Sequence, residues 1–256
     1  MRILLTNDDG PPGINSPFIE PFMDACIAQG WHVTAVIPAT QQSWTGKFVT
    51  LGNITQSTVG KLILLTASPA TCANIALTSL FTVSDFDLVI SGPNFGRNIG
   101  TSATLSSGTV GAAVEASLLG IRSIALSFAY TSRDDAQNVA YVQRALDESI
   151  KIINFFSNHW SAFNSVPPIL NINLPLIGTP YADVKVTRFH KGGYLALSQK
   201  TPNGWSFNPV FDFNNVEHDS DAWAVFNRCV SVTPMTASFQ GMNECNIEMA
   251  ALIKKY

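Results

Sequence analysis

Residues 2–10 read RILLTNDDG. The β-rich run over residues 2–6, with Ile3-Leu4-Leu5 at its centre, has the length of a buried strand and is too short for a helix. Asn7-Asp8-Asp9-Gly10 ends it with turn-forming residues. Downstream, Ser16 as N-cap and Pro17 at the first helical position predict a helix over residues 17–29, with Gly30 as its stop. Residues 32–37 then form a second strand closed by Pro38, which completes a βαβ unit. The alternation continues with strands at 61–65, 88–90 and 123–127. Helices are predicted at 69–80, 108–119 (with Gly120 just past its end) and 134–157. This pattern predicts an α/β fold, Rossmann-like and doubly wound, with a mostly parallel sheet. Beyond residue 167, strands are predicted at 169–172, 184–187 and 230–233. The Asn-, Phe- and Trp-rich stretch 192–221 reads as a β-hairpin arm, and residues 244–255 as a closing helix. Residues 1–256 are taken as a single domain with a C-terminal arm over about 190–256.

Composition narrows the function. Of the 256 residues, 46% are hydrophobic and only 13% charged, which excludes a disordered chain. A formal net charge of −3 and the absence of a basic run argue against a nucleic-acid binder. No apolar stretch has the length of a membrane span, and the first ten residues lack the form of a secretory signal, so a cytoplasmic location is expected. Cys26, Cys72, Cys229 and Cys245 have no CxxC spacing and read as thiols rather than a disulfide frame or zinc site. His32, His159, His190 and His218 are dispersed, without metal-ligand spacing.

Ligands of open α/β sheets bind outside the carboxyl ends of the strands. Three polar loops fall there. The first carries Asp8 and Asp9, adjacent acids that read either as a solvated turn or as oxygen ligands for a hard divalent cation. The second, residues 39–47, offers the Ser43 hydroxyl and the Lys47 charge, or is an ordinary surface loop around Trp44. The third runs from Ser91-Gly92-Pro93-Asn94 to Thr109. Its Ser107-Gly108-Thr109 end opens a helix, where exposed N–H groups form an anion site and Ser107 is placed to cap. Glu115, inside that helix, reads either as a partner for a buried polar contact or as a catalytic residue. Neither GxGxxG after the first strand, nor GxxxxGK[ST], nor GxSxG around Ser107 is present.

ILLTNDDG (3–10), SGPNFGRNIG (91–100) and SSGTVGAAVEASLLGI (106–121) together resemble the survival protein E family. ILNINLP (169–175), KVTR (185–188) and DSDAWAVFNRCVSVTPM (219–235) extend the resemblance nearly end to end, closer to the eukaryote-like branch. The resemblance implies a metal-dependent phosphatase acting on nucleoside 5'- or 3'-monophosphates. Its implied ligands for one Mg²⁺ or Mn²⁺ are Asp8, Asp9, Ser43 and Asn94. Its phosphate-side positions are Asn98, Ser107, Gly108 and Thr109. It also implies a homodimer or homotetramer built through the arm. The expected chemistry is hydrolysis by a metal-activated water, with Asp8 and Asp9 as the catalytic pair. The alternative is a non-catalytic nucleotide-binding module on the same fold. Phe95, Trp44 and the arm are expected to wall the substrate.

Overall fold

The computed structural model describes residues 1–160 and 169–237; the predicted closing helix 244–255 and Cys245 lie outside them. The chain begins with β1 (Arg2–Thr6), α1 (Ile19–Ala28), β2 (His32–Pro38), β3 (Gln56–Val59) and β4 (Leu62–Leu65). Next come α2 (Pro69–Ile75), a π-helical turn (Ala76–Leu80), β5 (Leu88–Phe95), α3 (Thr101–Ser106), α4 (Gly108–Leu118) and β6 (Ser123–Ala129). A 3-10 turn (Arg133–Gln137) precedes α5 (Val139–His159) and β7 (Ile169–Pro175). The last part holds β8 (Val184–Val186), β9 (Tyr194–Thr201), β10 (Gly204–Phe211), α6 (Asp221–Phe226) and β11 (Val230–Met235).

Among the described residues, the main sheet has nine strands in the order β3-β4-β2-β1-β5-β6-β7-β11-β8. The run from β4 through β7 is parallel; β3 on β4 and β11 on β7 are antiparallel. β1 lies between β2 and β5, so the winding reverses between β1 and β5, where a crevice opens at the carboxyl edge.

The alternation of side chains along β1 divides the core into two layers. Ile3 and Leu5 pack with Phe22 of α1 and Leu146 of α5, while Leu4 packs with Val36, Cys72 of α2 and Ala116 of α4. Full burial of one such aliphatic or aromatic side chain stabilises by about 1.5–3 kcal/mol. Both faces being covered explains why the central strands read as continuous apolar runs. Cys26, Cys72 and Cys229 are free and buried, and burial pushes the first two thiols up to about 12.

Several local boundaries differ from the sequence reading. α1 starts at Ile19, with Phe18 in the N-cap position; the Ser16 hydroxyl is drawn instead to the Gly10 carbonyl, 2.8 Å away. The stretch 134–157 is split by two N-caps, since Ser132 caps the 3-10 turn and Asn138 starts α5. The third loop contains α3, whose first N–H donates to the distant His190 carbonyl at 2.9 Å. β3 is exposed along its length, so no buried face marked it. The hairpin formed by β9 and β10 is present as predicted and forms its own two-stranded sheet.

Candidate active site

The turn after β1 is built by Asn7. Its Nδ2 donates to the Gly10 carbonyl at 2.7 Å, and Gly10 N–H returns to Asn7 Oδ1 at 3.2 Å. Gly10 has φ +82°, and a Cβ there would stand 3.0 Å from backbone atoms of Thr40 and Gln41, so the first loop packs directly on the second. The Gln42 N–H donates to the Asp8 carbonyl at 2.7 Å and stitches the two together.

Asp8 and Asp9 are both buried, 3% and 4% exposed. Asp8 Oδ1 accepts from the Thr109 hydroxyl at 2.5 Å, and Asp9 Oδ2 accepts from the Phe95 N–H at 2.6 Å. Burial pushes the Asp8 carboxyl above its ordinary value, against the Thr109 hydroxyl and the backbone at Thr109 and Gly108. Burial and the neighbouring Asp8 charge push Asp9 well above the carboxylate range, opposed by Phe95 N–H and by Arg133. Neither carboxylate has an ion-pair partner within 4.0 Å among the described residues.

α4 approaches this pair end-on. A Cβ on Gly108 would stand 2.8 Å from Asp8 Cβ, so only glycine admits the helix start so close to the carboxylate. Ser107 caps α4 by accepting from Val110 N–H at 3.2 Å, and it also faces the cleft. The hydroxyl of Thr109 is fully buried and engaged with Asp8, and the backbone at Thr109 and Gly108 is turned to the same carboxylate.

Asn94 reaches the site through a register shift in the β5–β6 pairing between Ser91 and Asn94. Its Nδ2 donates to the Gly96 carbonyl at 3.0 Å, leaving Oδ1 as its open acceptor. Ser43 is half-exposed, with Gln41 Nε2 donating to its hydroxyl at 3.1 Å. Asn98 is held on several sides. Its N–H donates to Asn173 Oδ1 at 2.8 Å, its carbonyl accepts from Asn171 and Asn173, and its Nδ2 donates to Ser127 Oγ at 2.9 Å.

These side chains surround a cleft of about 290 Å³. Asp8, Ser43, Asn94, Asn98 and Ser107 line it, as do Phe95, Trp44 and, from the arm, Phe211. Asp9, Gly108 and Thr109 stand behind this lining, touching it through Phe95 and Asp8. Lys47 does not face the cleft: its Nζ lies 2.5 Å from Glu115 Oε2, and Asn74 Nδ2 donates to Oε1 of the same carboxylate at 2.7 Å. Glu115 therefore pins the Ser43-bearing loop to α4, the polar contact its place in the helix suggested.

Arg97 and Tyr130 also line the cleft and were not singled out in the sequence. Asp221 was missed as well. Fully buried, it accepts from the N–H groups of Gly100, His190 and Ala222, each at 2.8 Å, and so joins the third loop to the base of the arm.

Two carboxylates with the neutral oxygens of Asn94 and Ser43 suit a hard divalent cation, and the burial of adjacent acids without an ion-paired cation is what such an ion would relieve. Among the described residues, no group of three or more His, Cys, Asp or Glu could hold a metal, so a cation here would rest on this mixed set.

Comparison with known proteins bears on the family and the fold. A 5'-nucleotidase SurE from Pelotomaculum thermopropionicum is 34% identical over 92% of this chain and 89% of its own length. A probable tubulin–tyrosine ligase PBY1 from Saccharomyces cerevisiae is 28% identical over 95% of this chain, which spans 42% of that protein. The yeast match agrees with the eukaryote-like details of the motifs. The crystal structure of SurE protein from Aquifex aeolicus has the same fold, with a TM-score of 0.75 at 25% identity over 99% of this chain and all of that one. The family model described as Survival protein SurE matches residues 3–195, and the chain belongs to that family.

Proposed function

We propose that this chain is a nucleotidase, a divalent-metal-dependent phosphomonoesterase acting on nucleoside 5'- or 3'-monophosphates. The observation that carries the reading is the buried Asp8–Asp9 pair at the end of β1, faced end-on by the start of α4. The nucleotidase name of the Pelotomaculum relative supports it. Asp8, Asp9, Ser43 and Asn94 are assigned to Mg²⁺ or Mn²⁺, which when bound would polarise a phosphoryl oxygen and lower the pKa of a water. Thr109 and the backbone at Gly108 hold the Asp8 carboxylate in place. Asn98 and Ser107 are assigned to the phosphate oxygens, with Gly108 and Thr109 behind them fixing Asp8; loss of one preorganised donor typically costs about 3 kcal/mol. Water oxygen bonds to phosphorus, the bond to the sugar oxygen breaks, and that oxygen takes a proton.

Phosphate release from a panel of nucleoside 5'- and 3'-monophosphates and 4-nitrophenyl phosphate tests this, with Mg²⁺, Mn²⁺ or chelator, on wild type and Asp8→Asn. Metal-dependent release that falls more than about a hundredfold in Asp8→Asn is expected. Nucleotide binding without release under any metal would replace the reading with the non-catalytic module.

The same proposal treats the chain as one domain whose hairpin arm joins subunits into a homodimer or homotetramer. Leu195 and Trp205 on the hairpin are 64% and 72% exposed, which suits a surface covered in an assembly. A monomeric mass at micromolar concentration in light scattering would reject it.

A further inference from the structure

Arg97 is the only cationic side chain lining the cleft among the described residues. Its guanidinium carbon lies 5.2 Å from the ring centre of Phe213 and 5.7 Å from that of Phe226. Phe213 follows the hairpin and Phe226 ends α6, so two elements of the C-terminal part fix an arginine that departs from the third loop. Burial against them pushes the guanidinium below its ordinary value. No described residue gives it a hydrogen bond or an ion pair, so its fork of N–H donors stays open at the cleft.

A second arginine packs on the outer side of the cleft-lining Phe95. Arg133 Cζ lies 5.3 Å from the ring centre of Phe95, and Phe95 in turn packs on Tyr130 at 4.8 Å. Phe95 and Tyr130 line the same cleft as Arg97. Arg133 likewise has no ion-pair partner within 4.0 Å among the described residues. Arg133 stands behind Phe95, where its charge acts on Asp9, so Arg97 is the cation left without a carboxylate at the cleft among the described residues. A neutral base would leave that guanidinium unpaired, whereas an anionic group would meet it with charge-assisted hydrogen bonds.

We propose that Arg97, with Arg133 behind Phe95, forms a subsite for a second anionic group, so that the preferred substrates are nucleoside 3',5'-bisphosphates. The proposal rests on the nucleotidase reading. One phosphate ester is cleaved by water at the carboxylate pair while the other lies on Arg97. The products are inorganic phosphate and a nucleoside monophosphate.

The test compares adenosine 5'-monophosphate with adenosine 3',5'-bisphosphate at low salt on wild type, Arg97→Gln, Arg97→Lys and Arg133→Gln. Wild type is expected to favour the bisphosphate in kcat/KM by about tenfold or more, the scale of a charge-assisted contact. Arg97→Gln is expected to lower kcat/KM for both substrates but to erase most of that preference; Arg97→Lys keeps part of it, and Arg133→Gln reduces it less. Partial misfolding lowers both substrates equally and leaves the ratio intact. A ratio near one in wild type, or a ratio unchanged in Arg97→Gln, overturns the proposal. If wild type releases phosphate from neither substrate, the nucleotidase reading falls and calorimetry with the same two ligands decides the subsite. Tighter bisphosphate binding that Arg97→Gln abolishes upholds it, and equal binding overturns it.

Discussion

Around Asp8, the side chains of Asn7, Asp8, Asp9 and Asn98 are held by partners drawn from the surrounding loops, one helix start and the neighbouring strands. Along the hairpin of β9 and β10, most residues are exposed, and the attachment lies at its base and inner face. There the Tyr194 hydroxyl is 2.7 Å from both the Ser102 carbonyl and Ser106 Oγ, and Trp44 packs on Phe207 at 4.9 Å. The first region is determined by close approach, where a single added carbon has nowhere to go. The second is a two-stranded ribbon whose outer surface adds little to the stability of one chain. Substitutions in the two regions should therefore separate activity and folding from association.

The largest effect is expected from Gly108→Ala. The added Cβ meets Asp8 Cβ at 2.8 Å, so α4 or the first loop must shift. Activity falls more than about a hundredfold, the scale of a misplaced reacting group. Overpacking costs about 1–3 kcal/mol, measured by denaturant unfolding. Retained activity would mean that the helix start is not tightly coupled to the carboxylate.

Glu115→Ala comes next. It leaves Lys47 and Asn74 without the carboxylate that ties the Ser43 loop to α4, at a cost of about 1–3 kcal/mol. Activity drops about tenfold, with the loss concentrated in the metal concentration needed for half-activation. The charge swap Lys47→Glu with Glu115→Lys should recover part of it.

Asp9→Asn has the opposite sign for stability. In chelator, burial and the Asp8 charge raise the folded-state value of Asp9 above its unfolded value. The folded chain then holds more protons, and stability falls as pH rises from the unfolded carboxyl value through the raised folded one. At neutral pH without metal, Asp9→Asn should melt about 2–4 °C higher than wild type, the shift that about 1 kcal/mol produces at this chain length. At acid pH the difference should close. A lower melting temperature across the range would contradict the buried-charge account.

The smallest effect on folding is expected on the arm. Trp205→Ser, at a residue 72% exposed, should change the unfolding free energy by less than about 0.5 kcal/mol and yet weaken association in light scattering.

The same contrast explains what the sequence made legible. β1, β2 and α4 announce themselves because each combines an apolar run with a local stop or cap, and the acids and hydroxyls of the site sit in the loops that follow them. Asp8, Asp9, Ser43 and Asn94 stand at or beside those loops, but local rules alone leave a turn open for the acids and a surface loop for Ser43; their assignment to a cation comes from the family resemblance. β3 carries no buried face, and α3 and α6 have six residues each, too few to show helical periodicity. The N-cap was assigned to Ser16 from local rules, but that hydroxyl is claimed by the Gly10 turn. Arg97 lies inside one of the diagnostic stretches, yet its meaning depends on Phe213 and Phe226, more than a hundred positions away in the chain. Asp221 likewise shows its role only once Gly100 and His190 are beside it.

The central claim is that the buried pair of acids after β1 is a cation site. Calorimetric titration of Mn²⁺ into wild type and Asp9→Asn, with inorganic phosphate present in both, tests it most directly. The account predicts saturable binding of a single ion to wild type and loss of about a hundredfold or more in affinity in the variant, whose remaining carboxylate and neutral oxygens are too few for a hard cation. Equal binding to both proteins, or none to wild type, would contradict it.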